Sequence, residues 1–117
     1  MKFTALTKSV PFTFVETDES EVKLKFTEFT VADADRMMKL NKSFLDDKTL
    51  SEVQQFNMLM LSQLVTSVKT MDGDYYWDDV KSLLNAGYPK STLDQMVDEV
   101  VKLNPPPKQV DLDAKKK

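Results

Sequence analysis

The chain contains neither cysteine nor histidine. The first absence excludes a disulfide framework, a thiolate metal site and a thiol nucleophile. The second removes the commonest general base and the commonest zinc ligand. Glycine is almost as scarce. Gly73 and Gly87 are the only two, too few to build a glycine-rich loop that cradles phosphate. The opening Met1-Lys2-Phe3-Thr4 leads into mixed polar sequence, not the apolar run of a signal peptide, and no stretch holds the roughly 20 mostly apolar residues of a membrane span. A basic excess is missing as well. The formal net charge is -3 although three lysines close the chain, which argues against a nucleic-acid partner. These absences lead to the expectation of a soluble cytoplasmic protein with no membrane partner, no cofactor and no metal.

What is present is organised around one stretch, Ser51 to Lys69, which carries no charge between Glu52 and Lys69. Wound at about 100° per residue, Val53, Met60, Leu61, Leu64 and Val68 form one apolar face. Met58 and Val65 widen it on one side, and Phe56 and Leu59 extend it on the other. A surface helix opposes its apolar stripe with charge, whereas one apolar nearly all round is covered on several sides. The expectation is a long central helix spanning roughly 28 Å, wrapped by the rest of the chain and by a second subunit.

The 117 residues suit one domain with a real core. Residues 11 to 29 read as a β-hairpin. Phe12 and Phe14 alternate with Thr13 and Val15, and Val22, Leu24 and Phe26 alternate with Lys23 and Lys25, which suit an exposed edge. Met1 to Val10 offers a weak third strand. Thr30-Val31-Ala32-Asp33 is a capping box that opens a helix, with Val31, Ala34, Met38 and Leu45 on the inner face beside Met37 and Phe44. Asp35 and Lys39 pair outside. That helix ends near Asp46-Asp47, and Thr49 or Ser51 caps the central one. The central helix stops near Met71-Asp72-Gly73. Asp74 caps a third helix, Tyr75 to Ala86, with Tyr76, Val80, Leu83 and Leu84 inward. Ser91-Thr92-Leu93-Asp94 opens a fourth, which closes at Asn104 before Pro105-Pro106-Pro107. The fold class is thus α+β, mainly α: a hairpin and about four helices in residues 1–104, then a disordered tail over 105–117.

Two clusters invite a functional reading. Asp72, Asp74, Asp78 and Asp79 begin like a calcium loop, but the later glycine and the bidentate glutamate are missing, and helix capping accounts for the same residues. Acid/base chemistry by these carboxylates lacks a nucleophile or cation beside it. Tyr75-Tyr76-Trp77 at a helix start cannot all point inward, so one of them contacts a partner or lies over a loop. The methionines 37, 38, 58 and 60 serve either as core filler or as an adaptable binding surface. A partner or oligomer interface is accordingly expected among Phe56, Met58, Leu59, Leu61, Val65, Tyr75, Tyr76 and Trp77.

The order of parts resembles tail assembly chaperones of long-tailed, siphovirus-type bacteriophages. A hairpin strand runs into a capped helix (Val22 through Asp33), followed by Tyr76-Trp77-Asp78-Asp79-Val80, a short helix, Tyr88-Pro89 and a last helix closing on Leu103-Asn104. The resemblance implies a non-enzymatic role in the host cytoplasm, outside the finished virion: coating the tape measure protein and helping recruit tail tube protein. It also implies self-association, and a longer form made by ribosomal frameshifting near Ala114-Lys115-Lys116-Lys117. The family supplies no catalytic residue. A small helical adaptor or regulatory protein would share the same bulk features.

Overall fold

A computed structural model describes residues 6–105. It is α+β, about half helical, with a three-stranded antiparallel sheet and four helices among the described residues. Strand β1 (Ser9–Val15) pairs with β2 (Glu21–Thr27) in the register Phe12 to Leu24 and Phe14 to Val22. The period-two pattern of this hairpin puts Phe14, Leu24 and Phe26 into the core. Glu28 donates its N–H to the Lys8 carbonyl, and Glu16 donates to Ser20. The even-numbered residues of β1 therefore bond to β2, and the odd ones face the edge that no other strand among the described residues covers. Pro11, which has no N–H, sits on that free side and breaks no ladder bond, while it blunts the edge against foreign strands.

Of the stretch expected to offer a weak third strand, residues 1–5 lie outside the described residues, and Ser9 and Val10 belong to β1; the third strand among the described residues comes from elsewhere. It is β3 (Val68–Thr70), which pairs with β2 on its other side. Strand β2 is therefore the centre of the sheet, and Lys23 and Lys25 do not mark an edge; Lys25 faces Lys69 across the ladder. β3 continues without a break from helix α2 (Glu52–Ser67), so the helix ends earlier than Met71. Gly73, at φ 96°, serves the tight turn after β3, not a helix end. Two buried residues weld this junction to β2. Ser67 donates its hydroxyl to the Thr27 carbonyl (2.8 Å) and accepts from the Thr27 N–H (3.2 Å), while the Thr27 hydroxyl donates to the Ser67 carbonyl (3.0 Å).

Helix α1 (Val31–Leu45) opens with the capping box of Thr30 and Asp33, and α2 opens with a second one of Ser51 and Gln54. Lys39 pairs with Asp35 on the outside. The inner face of α1, however, is not the expected one. Asp33 and Phe44 are buried, with Arg36, Met37, Leu40 and Asn41 half-buried between them, while Val31, Ala34, Met38 and Leu45 face out. The polar partners awaiting Asp33 and Arg36 turn the helix this way. Helix α3 is only Val80–Asn85 and is capped by Asp79, not Asp74, so Tyr75, Tyr76 and Trp77 precede it in bent, non-helical backbone. Val80 and Leu83 enter the core and Leu84 does not. Helix α4 (Lys90–Leu103) starts after Pro89, with no side-chain cap at Ser91.

The core gathers Phe14, Leu24, Phe26, Leu64, Val65, Val68, Trp77, Val80, Leu83, Met96 and Val100. Helix α2 enters it only at its C-terminal half; Val53 and Phe56 in the first turns are exposed. At the far end of α4, Asn104 ties the last helix to the strand-to-helix corner. Its Oδ1 accepts from the Phe29 N–H (2.6 Å), and its Nδ2 donates to the Thr27 carbonyl (3.2 Å). Pro105 is exposed; the remainder of the expected tail, with its frameshift terminus, lies outside the described residues. Asn104→Ala leaves the part-buried Phe29 N–H without this acceptor. It is expected to lower unfolding stability by about 1–3 kcal/mol, a cost typical of a polar group left unpaired. Chemical denaturation checks this, and an unchanged midpoint contradicts the tether.

Candidate partner-binding site

The surface open to a partner is set by a polar clasp between α1, the end of α2 and the aromatic segment. Asp33 is only 1% exposed. A buried carboxylate is costly unless it is paired and hydrogen-bonded, and Asp33 is both. It accepts from the Thr30 N–H (3.0 Å), from Lys69 Nζ (3.0 Å) and from the Tyr75 hydroxyl (2.5 Å). Burial pushes its pKa up, but the bonds from Tyr75, Thr30 and Lys69 outweigh that and hold it below the ordinary value. Burial and the Asp33 bond push the Tyr75 phenol up to about 12.

Arg36, one turn along, completes the clasp. Its Nη1 donates to the Val65 carbonyl (2.9 Å), and its Nη2 to the carbonyls of Trp77 and Asp78 (both 2.7 Å). The Val65 carbonyl belongs to the last turn of α2, where backbone acceptors lack intrahelical donors and a cation is favoured. That turn has no basic residue of its own, so α1 supplies one. The guanidinium also stacks on Tyr75, 3.8 Å from the ring centre.

Tyr76 and Trp77 run into an aromatic cluster with Phe14 and Tyr88. Glu16 accepts from the hydroxyls of Tyr76 and Tyr88, the latter at 2.7 Å, and Trp77 Nε1 donates to the Tyr88 hydroxyl at 3.3 Å. Burial, followed by the Glu16 bond, raises the Tyr88 pKa. The three consecutive aromatics thus divide between the clasp and this cluster. Tyr75 and Tyr76 are half-buried and Trp77 is buried. The spacing of about 100° expected of a helix does not apply to them, because the helix begins later.

With the end of α2 held in this way, its exposed first half forms one wall of an apolar groove of about 650 Å3. Phe56, Met58, Met60 and Leu61 line it from α2; Leu84, Tyr88, Leu93 and Val97 line it from α3, the following turn and α4. Phe56 (58% exposed) and Leu84 (49%) stand open to solvent. Charge is confined to the α4 side, where Lys90 is bonded to Asp94 at 2.8 Å and Asp98 makes no ion pair among the described residues. A smaller hollow of about 400 Å3 lies on the α1 side of α2, lined by Met37, Met60, Gln63 and Val101.

Of the residues expected at an interface, the structure brings Phe56, Met58 and Leu61 together in this groove. Leu59 is half-buried outside its lining, Val65 lies in the core beneath, and the aromatic triplet belongs to the clasp and cluster. The opposite wall was not legible as a site. Leu84 reads as core beside Leu83, and only the shortness of α3, which has one inward apolar position per turn, leaves it outside. Asp79 caps α3 by accepting from the Ser82 N–H (2.7 Å). No group of three or more carboxylates among the described residues is placed to hold a metal ion, and none of the described helices is long and apolar enough to cross a membrane. Comparison with protein-family models, curated proteins and solved structures finds no match to this chain.

The clasp makes a two-sided pH prediction. The Asp33 pKa is lowered from 3.8, so its contribution to stability is complete above that value and is lost as pH falls through the folded pKa. The Tyr75 pKa is raised from 10.0 to about 12, so its contribution is complete below pH 10.0 and is lost as pH rises through about 12. Asp33→Asn should flatten the acid limb of a stability–pH curve and Tyr75→Phe the alkaline limb. Limbs unchanged by these substitutions would show that the clasp does not couple to folding.

Proposed function

We propose that the chain is a non-catalytic protein-binding module of the tail assembly chaperone kind. It holds an apolar, helical segment of a phage tape measure protein and helps recruit tail tube protein in the host cytoplasm, outside the finished virion. The single observation carrying this reading is the groove between α2, α3 and α4, with Phe56 and Leu84 facing solvent across it. An amphipathic helix binds such a groove through apolar anchors one or two turns apart. Met58 and Met60 add side chains that repack around varied anchors. On this reading α2 is the central apolar helix of the assembly: its C-terminal half is covered by its own chain and its N-terminal half by a partner. The acidic balance of the chain and the charged outer face of α4 favour solubility while the apolar surface waits for a client.

Co-expression with the tape measure and tail tube proteins encoded beside this gene provides the test. The wild-type chain should co-purify with tape measure protein. Phe56→Asp, at an exposed position, should weaken that association by about 2 kcal/mol or more, as expected of a central anchor, with an unchanged melting temperature. Capture of tape measure protein equally by wild type and Phe56→Asp would remove the groove from the account. Failure of the wild type to capture it at all would remove the chaperone reading and leave an adaptor with a different client.

A further inference from the structure

A further hollow, of about 460 Å3, opens between the hairpin turn and the aromatic cluster. Glu16, Thr17 and Asp18 line it from the turn, together with Tyr76, Trp77 and Tyr88. Trp77, only 5% exposed, lies at its base. The rings stand nearly at right angles to one another. Tyr76 meets Trp77 at 75° with centres 5.0 Å apart, and Trp77 meets Tyr88 at 67° and 5.9 Å. Rings set in this way form a corner of π faces and edges, and each face carries the negative part of the ring quadrupole, which attracts cations.

The charge beside these rings is of one sign. Glu16, Asp18, Glu19 and Glu21 fall within residues 9–22, a stretch with no lysine or arginine. None of the four makes an ion pair among the described residues. Glu16 accepts from the Tyr76 and Tyr88 hydroxyls, which are neutral donors and leave its formal charge unbalanced. Asp18 accepts from the N–H and hydroxyl of Ser20, at 3.1 and 2.7 Å, and these are neutral too. Glu19 holds a left-handed conformation at φ 68°, where a turn favours glycine or asparagine. Turn geometry alone does not call for a carboxylate there.

We infer that this hollow takes a lysine or arginine side chain of a protein partner. Ring faces and carboxylates attract an organic cation together, and a guanidinium also stacks on aromatic rings. A metal ion fits less well. Both Glu16 oxygens are engaged by phenols, and no group of three or more carboxylates among the described residues is placed to hold a metal. Tyr88 lines this hollow and the apolar groove alike. A segment lying in the groove can therefore set a flanking basic residue into the hollow, so that apolar anchors and one cation are recognised together. That the partner is a protein rests on the groove reading; the preference for a cation does not.

Trp77 is the only tryptophan in the chain, so its emission reports on the hollow directly. Titration with the blocked peptide acetyl-Lys-Arg-Lys-amide should give a saturable emission change and a matching heat of binding. Acetyl-Gln-Gln-Gln-amide should give neither. Thr17→Lys puts a competing cation on the exposed rim and should weaken the basic peptide at least about tenfold, because like charges brought together are strongly disfavoured. Glu16→Gln keeps an acceptor for one phenol, removes the charge and should weaken binding in the same direction. Should Glu16→Gln melt early, Thr17→Lys and Asp18→Asn, both at exposed positions, carry the test. Silence of both signals with the basic peptide overturns the assignment, as does an equal response to the glutamine peptide or wild-type affinity in Thr17→Lys. Spermidine bound as tightly as the peptide would give the hollow to free organic cations and overturn the protein partner. No tape measure or tail tube protein enters the experiment, so each of these failures leaves the groove reading standing.

Discussion

The outward face of α1 follows from where one carboxylate is buried. Asp33 leaves water completely, and a charge in that position must be met by donors from several elements. Those donors are the N-terminus of its own helix, Lys69 of β3 and the Tyr75 hydroxyl. Meeting them all fixes the rotation of α1 about its axis. Arg36, three residues on, then falls over the open end of α2 and the Trp77–Asp78 backbone. With Asp33 and Arg36 called inward beside Met37, Leu40 and Phe44, the residues on the other side of the helix, Val31, Met38 and Leu45, face outward. The usual logic of an amphipathic helix is inverted locally by ion pairing and end-capping.

The second constraint is continuity between α2 and β3. A helix that becomes a strand at Val68 must place its last turn in the core beside the sheet, which explains the burial of Ser62 and of Leu64 through Ser67. Its first turns then project beyond the sheet, with α1 packed along one side of the helix and α3 and α4 on the other. Helix α3 is too short to cover them, and the groove remains. An exposed apolar groove wall and the stable core thus share one helix, divided near its middle, with the clasp tying down its buried end.

Much of the local structure was legible in the residues. The alternation of Phe12, Phe14, Val22, Leu24 and Phe26 specifies the hairpin, and Thr30 with Asp33 specifies the start of α1, because each depends on a short-range pattern. The errors have a common origin. Periodicity cannot see long-range polar pairing, so the rotation of α1 was read from Val31 and Met38 when Asp33 and Arg36 decided it. The apolar run through Val68 looked like more helix, but its β-branched end pairs with β2. Asp74 and Asp79 are equally good caps in isolation. Bonding of Thr70 to the Asp74 backbone takes the first into a turn and leaves the second to cap α3. On the candidate site, Phe56, Met58 and Leu61 were legible as one apolar surface because charge is absent around them, and they line the groove together. The α3–α4 wall was not, since Leu84, Leu93 and Val97 look like any core positions.

The central claim is that the polar clasp sets which face of α1 turns inward, leaving the stripe of Val31, Met38 and Leu45 outside. The absence of cysteine makes this directly measurable by thiol labelling. Met38→Cys and Leu40→Cys place single thiols two residues apart, on the outward and inward sides of the helix. In dilute native protein, the thiol introduced at 38 should label at close to the rate found in denaturant, and the one at 40 should be strongly protected. The opposite order, with position 38 protected and position 40 reactive, would mean that α1 packs by its apolar stripe and that the clasp does not set its orientation.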